Sequence, residues 1–247
     1  FDWFEAMIRD RQLHAALLRQ FVFSVAVLAI EIPIGLALAL AMPTAGWRAS
    51  LVLVLVALSL FVPWSAVGIT WQLFARPDVG LLGAMLADLG IRYDLAGDPV
   101  AAWLTVLAMD VWHWTPLVAL LCHAGLRTIP EACYRAASID GAGRFAVFRH
   151  VQLPKLRGLL MVAVLLRFLD SLRIYAEPLV VTGGGPGSAT TFLSRTLAQK
   201  ALSGVDPGPT AAFALAWFVL VLPLAVVLYL WLRRVGVASH DMAADGR

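Results

Sequence analysis

The chain has 247 residues, 61% of them hydrophobic and only 14% charged, against roughly a quarter charged in an ordinary soluble domain. That composition excludes a water-soluble globular domain and makes the bilayer the expected solvent. The net charge of +3 comes from basic residues scattered between apolar runs, so no nucleic-acid partner is expected.

The first twenty residues carry Asp2, Glu5, Arg9, Asp10, Arg11 and Arg19 and are no signal peptide. With Phe1 in place of an initiator Met, a further span upstream is expected. Five apolar stretches follow, at 21–42, 51–74, 101–122, 156–181 and 211–232. Each reaches the roughly 20 residues a helix needs to cross the hydrocarbon. Open sheets cannot satisfy their backbone in lipid, so the expected fold is an all-α integral membrane protein, five spans in one domain over 1–247. Trp47, Trp71, Trp103 and Trp231 fall near span ends, as interfacial aromatics do. Lys and Arg number ten on one set of alternating loops and seven on the other. Six of the ten, Arg127, Arg135, Arg144, Arg149, Lys155 and Arg157, lie in or beside the loop 123–155, which is therefore assigned to the cytoplasm, with Phe1 outside.

Residues 129–154, IPEACYRAASIDGAGRFAVFRHVQLP, are too polar to enter lipid and read as two short helices. Thr128 and Glu131 form a T-x-x-E capping box, Pro130 suits a first helical turn, and Gly141 and Gly143 supply a break after Asp140. The second helix is expected to run from Arg144 until Pro154 halts it. Small Ala132, Ala136 and Ala137 admit a close partner surface, while Tyr134, Phe145 and Phe148 add apolar anchors.

This stretch resembles the EAA loop of permeases in binding-protein-dependent ATP-binding-cassette importers, of the type I, maltose-transporter-like family. The resemblance rests on Ala136, Ala137, Asp140, Gly141, Ala142 and Pro154. It extends through VWHWTP at 111–116, AGL at 124–126, RFLDSLRIYAEPLVVTGGGPGSATTFLS at 167–194 and the apolar run 21–42. One departure is Arg135, which stands where the family has its eponymous glutamate. The resemblance implies a type I importer transmembrane domain, six spans in the full-length protein, in a bacterial or archaeal cytoplasmic membrane. It implies a second, homologous permease, two cytoplasmic ATP-hydrolysing subunits, an extracytoplasmic solute-binding protein and a sugar or polyol as solute. Glu131, Tyr134, Arg135, Ala136, Ala137, Asp140, Gly141, Ala142, Phe145, Phe148 and Pro154 would then couple the chain to the ATPase. Gly183, Gly184, Gly185 and Pro186, in an external loop, would meet the binding protein, with Asp78, Gly80 and Gly83 as a second contact.

Away from the span ends, six acidic or basic residues of the Asp, Glu, Lys and Arg types lie within the expected spans: Glu31, Asp110, Arg167, Asp170, Arg173 and Glu177. Each costs about 2.5 to 3.5 kcal/mol near the bilayer centre, so each should face protein or water. On a continuous helix Arg167, Asp170, Arg173 and Glu177 share an arc of about 120° and pair at spacings of three and four. That stripe either lines a solute path, with Ser171 and Tyr175 beside it, or is an ion-pair ladder against a partner. Asp110, His113 and Trp114 share a face and form a second candidate contact for solute. Glu31, two residues before Pro33, is expected to serve a disrupted turn or a neighbouring helix instead.

Several chemistries find no motif. No Gly is followed by Lys, so there is no phosphate-binding G-x-x-x-x-G-K-[ST] and ATP is left to a partner. Cys122, His123, Cys133 and His150 lack metal-ligand spacing, and neither metal nor cofactor is expected. The rival readings are an importer permease for a non-carbohydrate solute and a membrane enzyme using Asp110, His113 and Asp170.

Overall fold

The computed structural model describes residues 5, 9–43, 46–203 and 207–244; Phe1 and the Trp231 side chain lie outside the described residues. All regular structure among them is helical. Helix α1 (Arg11–Ala41) starts ten residues before the expected apolar run, because Asp10 caps it. The Asp10 carboxylate accepts hydrogen bonds from the backbone N–H of Gln12 at 2.9 Å and Leu13 at 3.3 Å, which satisfies two orphan donors.

The second expected span, 51–74, is not one helix. It divides into α2 (Trp47–Ala57) with a 3₁₀ turn (Leu58–Phe61), and α3 (Trp64–Phe74), bent by 95° at the break. Pro63, without an N–H and crowding the preceding turn, forces that interruption. A short α4 (Leu81–Asp88) leads to α5 (Pro99–Arg127), whose start follows a simple rule. Asp98 accepts from Val100 N–H at 2.9 Å and Pro99 takes the first helical position, where its missing N–H costs nothing.

The cytoplasmic loop holds α6 (Glu131–Ile139) and α7 (Arg144–Val147), then a π-turn (Phe148–Gln152) that runs directly into α8 (Leu153–Ser171). Pro154 therefore does not halt the helix. The widened turn ahead of it makes room for the proline ring, and the chain stays helical into the apolar segment. The fourth expected span, 156–181, is also broken. Helix α8 ends at Ser171 and α9 (Ala176–Thr182) begins after a turn. Pro178 cannot bond to the Ile174 carbonyl and is tolerated only in the first turn of a new helix. Helices α10 (Leu193–Ser203) and α11 (Pro207–Ala244) complete the order. Among the described residues three helices are long and apolar enough to cross a membrane, four when the bent pair counts as one span.

The chain forms two compact units. The first comprises Phe1–Ala29, Phe61–His113 and Phe168–Leu222. Its core is Phe23, Val27, Val67, Val106, Met109, Val181 and Phe192, with the Phe23 and Phe192 rings 4.7 Å apart. Helices α3 and α9 cross where Gly68 lies against Val180. The buried Gln20 amide donates to the Ser171 carbonyl at 2.8 Å, and the Ser171 and Ser24 hydroxyls are 2.8 Å apart. The second unit comprises Ile30–Leu60, Trp114–Arg167 and Pro223–Arg247. Ala39, Val118, Cys122 and Ala163 form its core, and Gly35 lets the backbone of α1 approach Val118. Small residues at such crossings are how helices pack without a hydrophobic driving force between them.

Candidate functional site

Within the first unit a cavity of about 300 Å³ is lined by Trp64, Asp110, Asp170, Arg173, Ile174, Tyr175, Ala176 and Glu177. Both helix breaks build it. Trp64 opens α3, Tyr175 precedes α9, and Ala176 and Glu177 fill the first turn of α9. Backbone that leaves the helix at membrane depth is tolerated where it borders a cavity. Glu177 is 8% exposed and Asp110 4%. Arg173 Nη2 donates to Asp170 Oδ1 at 3.0 Å, as the i, i+3 spacing leads one to expect. Among the described residues no side chain donates to Glu177, whose carboxyl faces the backbone N–H groups of Tyr175 and Glu177. Its expected pairing with Arg173 is absent because the turn at 172–175 takes Arg173 off the helix.

The other candidates for a solute path lie elsewhere. His113 is buried and its ring packs against Trp64 at a tilt of 47°, centroids 4.4 Å apart. Ser171 is turned to Ser24. Arg167 and Trp114 belong to the second unit. There Arg167 Nε donates to both Glu31 oxygens, at 2.9 and 2.8 Å, with both side chains wholly buried. The Arg167 guanidinium lies 4.5 Å from the Trp114 ring centroid, a desolvated cation–π contact. The single polar stripe is thus replaced by two groups, one lining a cavity and one in which Arg167 meets Glu31 and Trp114. Glu31 meets a neighbouring helix, as its position before Pro33 suggested. Trp64, Ile174 and Ala176 are the lining residues that sequence reasoning missed, and Trp64 is the one with a signal. Its position directly after Pro63 was the available signal.

In the cytoplasmic loop, α6 ends in a Schellman motif. Gly141 N–H bonds the Ser138 carbonyl at 3.2 Å and Ala142 N–H the Ala137 carbonyl at 2.9 Å. Gly141 sits at φ +69°, which any side chain would strain, although nothing lies within 4 Å of where a Cβ would stand. The expected capping box does not form. Pro130 holds the N-cap position without a side-chain bond, and the Thr128 hydroxyl donates back to the Gly125 carbonyl at 2.8 Å. Ile139 and Phe145 are 86% and 73% exposed, Glu131, Arg135, Ala136 and Asp140 are exposed, and Ala137 is buried. Tyr134, Ala142, Phe148 and Pro154 are half-buried.

The glycine-rich loop is cross-braced. Thr191 Oγ1 donates to the Gly184 carbonyl at 3.0 Å, Thr190 Oγ1 to that of Gly185 at 3.2 Å, and Gly184 N–H to Thr182 Oγ1 at 3.1 Å. Gly184, at φ +84°, is buried against the Arg195 guanidinium, 2.7 Å from where a Cβ would stand. Gly183 is exposed, Gly185 and Pro186 half-buried. Outside the spans, the Lys200 ammonium, 2.7 Å from Asp10, holds the Asp10 carboxyl below its ordinary range.

Three comparisons bear on this arrangement. The trehalose/maltose transport system permease protein MalF of Thermococcus litoralis is 39% identical over 173 residues, 68% of this chain and 58% of that protein. The sulfoquinovosyl glycerol transport system permease protein SmoG of Agrobacterium fabrum is 33% identical over 175 residues, 69% of this chain and 57% of that protein. The chain therefore spans less than two thirds of the length of these two relatives. In fold it is similar to a crystal structure of a bacterial ABC transporter involved in the import of the acidic polysaccharide alginate. That match has a TM-score of 0.84 at 22% identity, over 95% of this chain and 83% of that one. The family model for inner membrane components of binding-protein-dependent transport systems matches residues 31–237. With its helical architecture, broken spans and exposed two-helix loop, this chain belongs to that family of transport-system inner membrane components.

Proposed function

We propose that the chain is the permease subunit of an ATP-driven importer for a sugar or sugar alcohol, crossing the cytoplasmic membrane five times over the residues given. It supplies half of a path completed by a second, homologous permease. Two cytoplasmic ATP-hydrolysing subunits and an extracytoplasmic solute-binding protein complete the assembly. The observation that carries the reading is the cavity in which Trp64 and Tyr175 stand beside Asp110, Asp170, Arg173 and Glu177. Aromatic faces with hydrogen-bonding carboxyl groups suit a polyhydroxylated solute, and about 300 Å³ is at the small end of ligand pockets.

In this mechanism the exposed Ile139 and Phe145 anchor α6 and α7 in a cleft of the ATPase, with Glu131, Tyr134, Arg135, Ala136, Ala137, Asp140, Gly141, Ala142, Phe148 and Pro154 forming or supporting the surface. ATP-driven closure draws this loop inward and the helices exchange inward-open for outward-open states. Gly183, Gly185 and Pro186 present the surface offered to the binding protein, and Gly184 shapes it from beneath.

The test is purification of the tagged chain from its native membrane, with identification of stoichiometric partners and assay of solute-dependent ATP hydrolysis. A second permease and an ATPase are expected. A chain isolated alone that turns over a lipid without nucleotide would overturn the proposal.

A further inference from the structure

Two guanidinium groups converge on the glycine-rich loop. From α1, Arg19 Nε donates to the Thr191 carbonyl at 3.1 Å and Nη1 to Ser188 Oγ at 3.5 Å. From α10, Arg195 lies against Gly184, where a Cβ would stand 2.7 Å from its Nη1 and 2.7 Å from Thr191 Oγ1. Arg195 makes no hydrogen bond or ion pair among the described residues, and its Nε and Nη1 are shielded from solvent without an acceptor. Arg19 meets only neutral acceptors. The chain around the two cations supplies no carboxylate. Residues 11–30 and 178–205 contain neither Asp nor Glu, and Asp10 is bonded to Lys200 at 2.7 Å. Two cations held on one loop, both half-buried, carry a desolvation and repulsion cost that an anion would relieve.

We infer that Arg19 and Arg195 form a carboxylate-binding site at the external face, and that its occupant is an Asp or Glu side chain of the solute-binding protein. The inference rests on the proposed importer and deepens the role given there to the glycine-rich loop. A guanidinium presents its N–H donors in a planar fork that matches a carboxylate, and the fork of Arg195 is unused among the described residues. Gly184 keeps that fork against the loop, since any Cβ there would displace the guanidinium. The exposed residues of the loop are Gly183, Gly187 and Ser188. None has an apolar side chain to bury in lipid, which favours a protein carboxylate over a phospholipid headgroup.

The experiment uses the assembled importer and its solute-binding protein, both purified from the native cells, with the importer in nanodiscs of phosphatidylcholine alone. Biolayer interferometry reads the affinity for the binding protein as sodium chloride is raised, which screens exposed charge pairs. Arg195→Gln should weaken binding about tenfold at low salt and flatten its salt dependence. Ser188→Glu, an independent variant at an exposed position, places a carboxylate beside Arg19 and should weaken binding several-fold by answering the cations in cis. Affinity and salt dependence unchanged in both variants would overturn the inference and leave the importer reading standing. Loss of the second permease from both variant complexes would overturn it too, by assigning the guanidinium groups to subunit assembly. A defect that arises only when phosphatidylglycerol is added to the nanodiscs would overturn it in favour of a lipid phosphate. A wild-type importer that no solute-binding protein engages would take down the importer reading and the inference with it.

Discussion

Glu31 and Arg167 are separated by 136 positions in the chain and by less than 3 Å at their closest atoms. Both are wholly buried, so each neutralises a charge that the other could not leave exposed to an apolar core. Removing one partner strands the other. Glu31→Ala should lower stability by about 3 to 5 kcal/mol, read by thermal unfolding of the detergent-solubilised protein. Replacing both by methionine should restore much of the loss, because a desolvated pair is worth little more than well-packed apolar side chains. A double variant as unstable as the single one would mean that the pair does more than balance charge. Local spacing pointed elsewhere, to Asp170, which is three residues from Arg167. Ionic partners in a helical bundle are chosen by which faces meet, and pairwise spacing on one helix carries no information about that.

Helices α3 and α9 meet at a glycine. A Cβ on Gly68 would stand 2.8 Å from Val180 Cβ, closer than packed carbon atoms approach. Gly68→Ala should cost about 1 to 3 kcal/mol by overpacking and pry apart the two helices that carry Trp64 and Glu177. Val180→Gly, added to it, removes both the Cβ at 2.8 Å and the Cγ1 at 2.9 Å and should restore part of the stability in the same unfolding assay. If the double variant gains nothing, the close approach is not what the glycine serves. Elements of this kind were legible in the sequence where their chemistry is local. Asp98 with Pro99 marks the start of α5, and Gly141 marks the end of α6. The breaks at Pro63 and at 172–175 were not, because an apolar run keeps its composition whether or not its backbone stays helical. The cavity was half legible for the same reason: Asp110, Asp170, Arg173, Tyr175 and Glu177 drew notice as polar groups among apolar ones, while Trp64 looked like any aromatic in a span.

Across the molecule, the boundary between the two compact units falls inside α1, α5, α8 and α11, so each of these helices belongs to both. The start of α1 is tied down by the Asp10 and Lys200 pair at 2.7 Å. Because Lys200 lowers the Asp10 pKa, the folded state binds fewer protons there than the unfolded one. The contribution is present above the ordinary aspartate range, near 4, and is lost as pH falls through the lowered folded value. The protection factor of the first-turn amides of α1, taken relative to their intrinsic exchange at each pH, should therefore fall on acidification, and Asp10→Asn should abolish that dependence. At the other end of the mechanism, Gly141→Asp should leave membrane insertion intact and uncouple ATP hydrolysis from uptake. The cause is backbone strain at φ +69° rather than crowding, since the space around Gly141 is open. Normal solute uptake by that variant would count against the role given to the loop.

The π-turn at Phe148–Gln152 bears on timing along the chain rather than on strength. A π-turn takes up one residue more than an α-turn. Phe145 and Leu156 are separated by about three turns of an uninterrupted α-helix, and the surplus residue between them turns one about 100° out of phase with the other. The segment works as a vernier between the docking end of the run and its membrane end. A change of one residue in chain length can be accommodated there, whereas the same change elsewhere in the run would turn the docking face by about 100° about the helix axis.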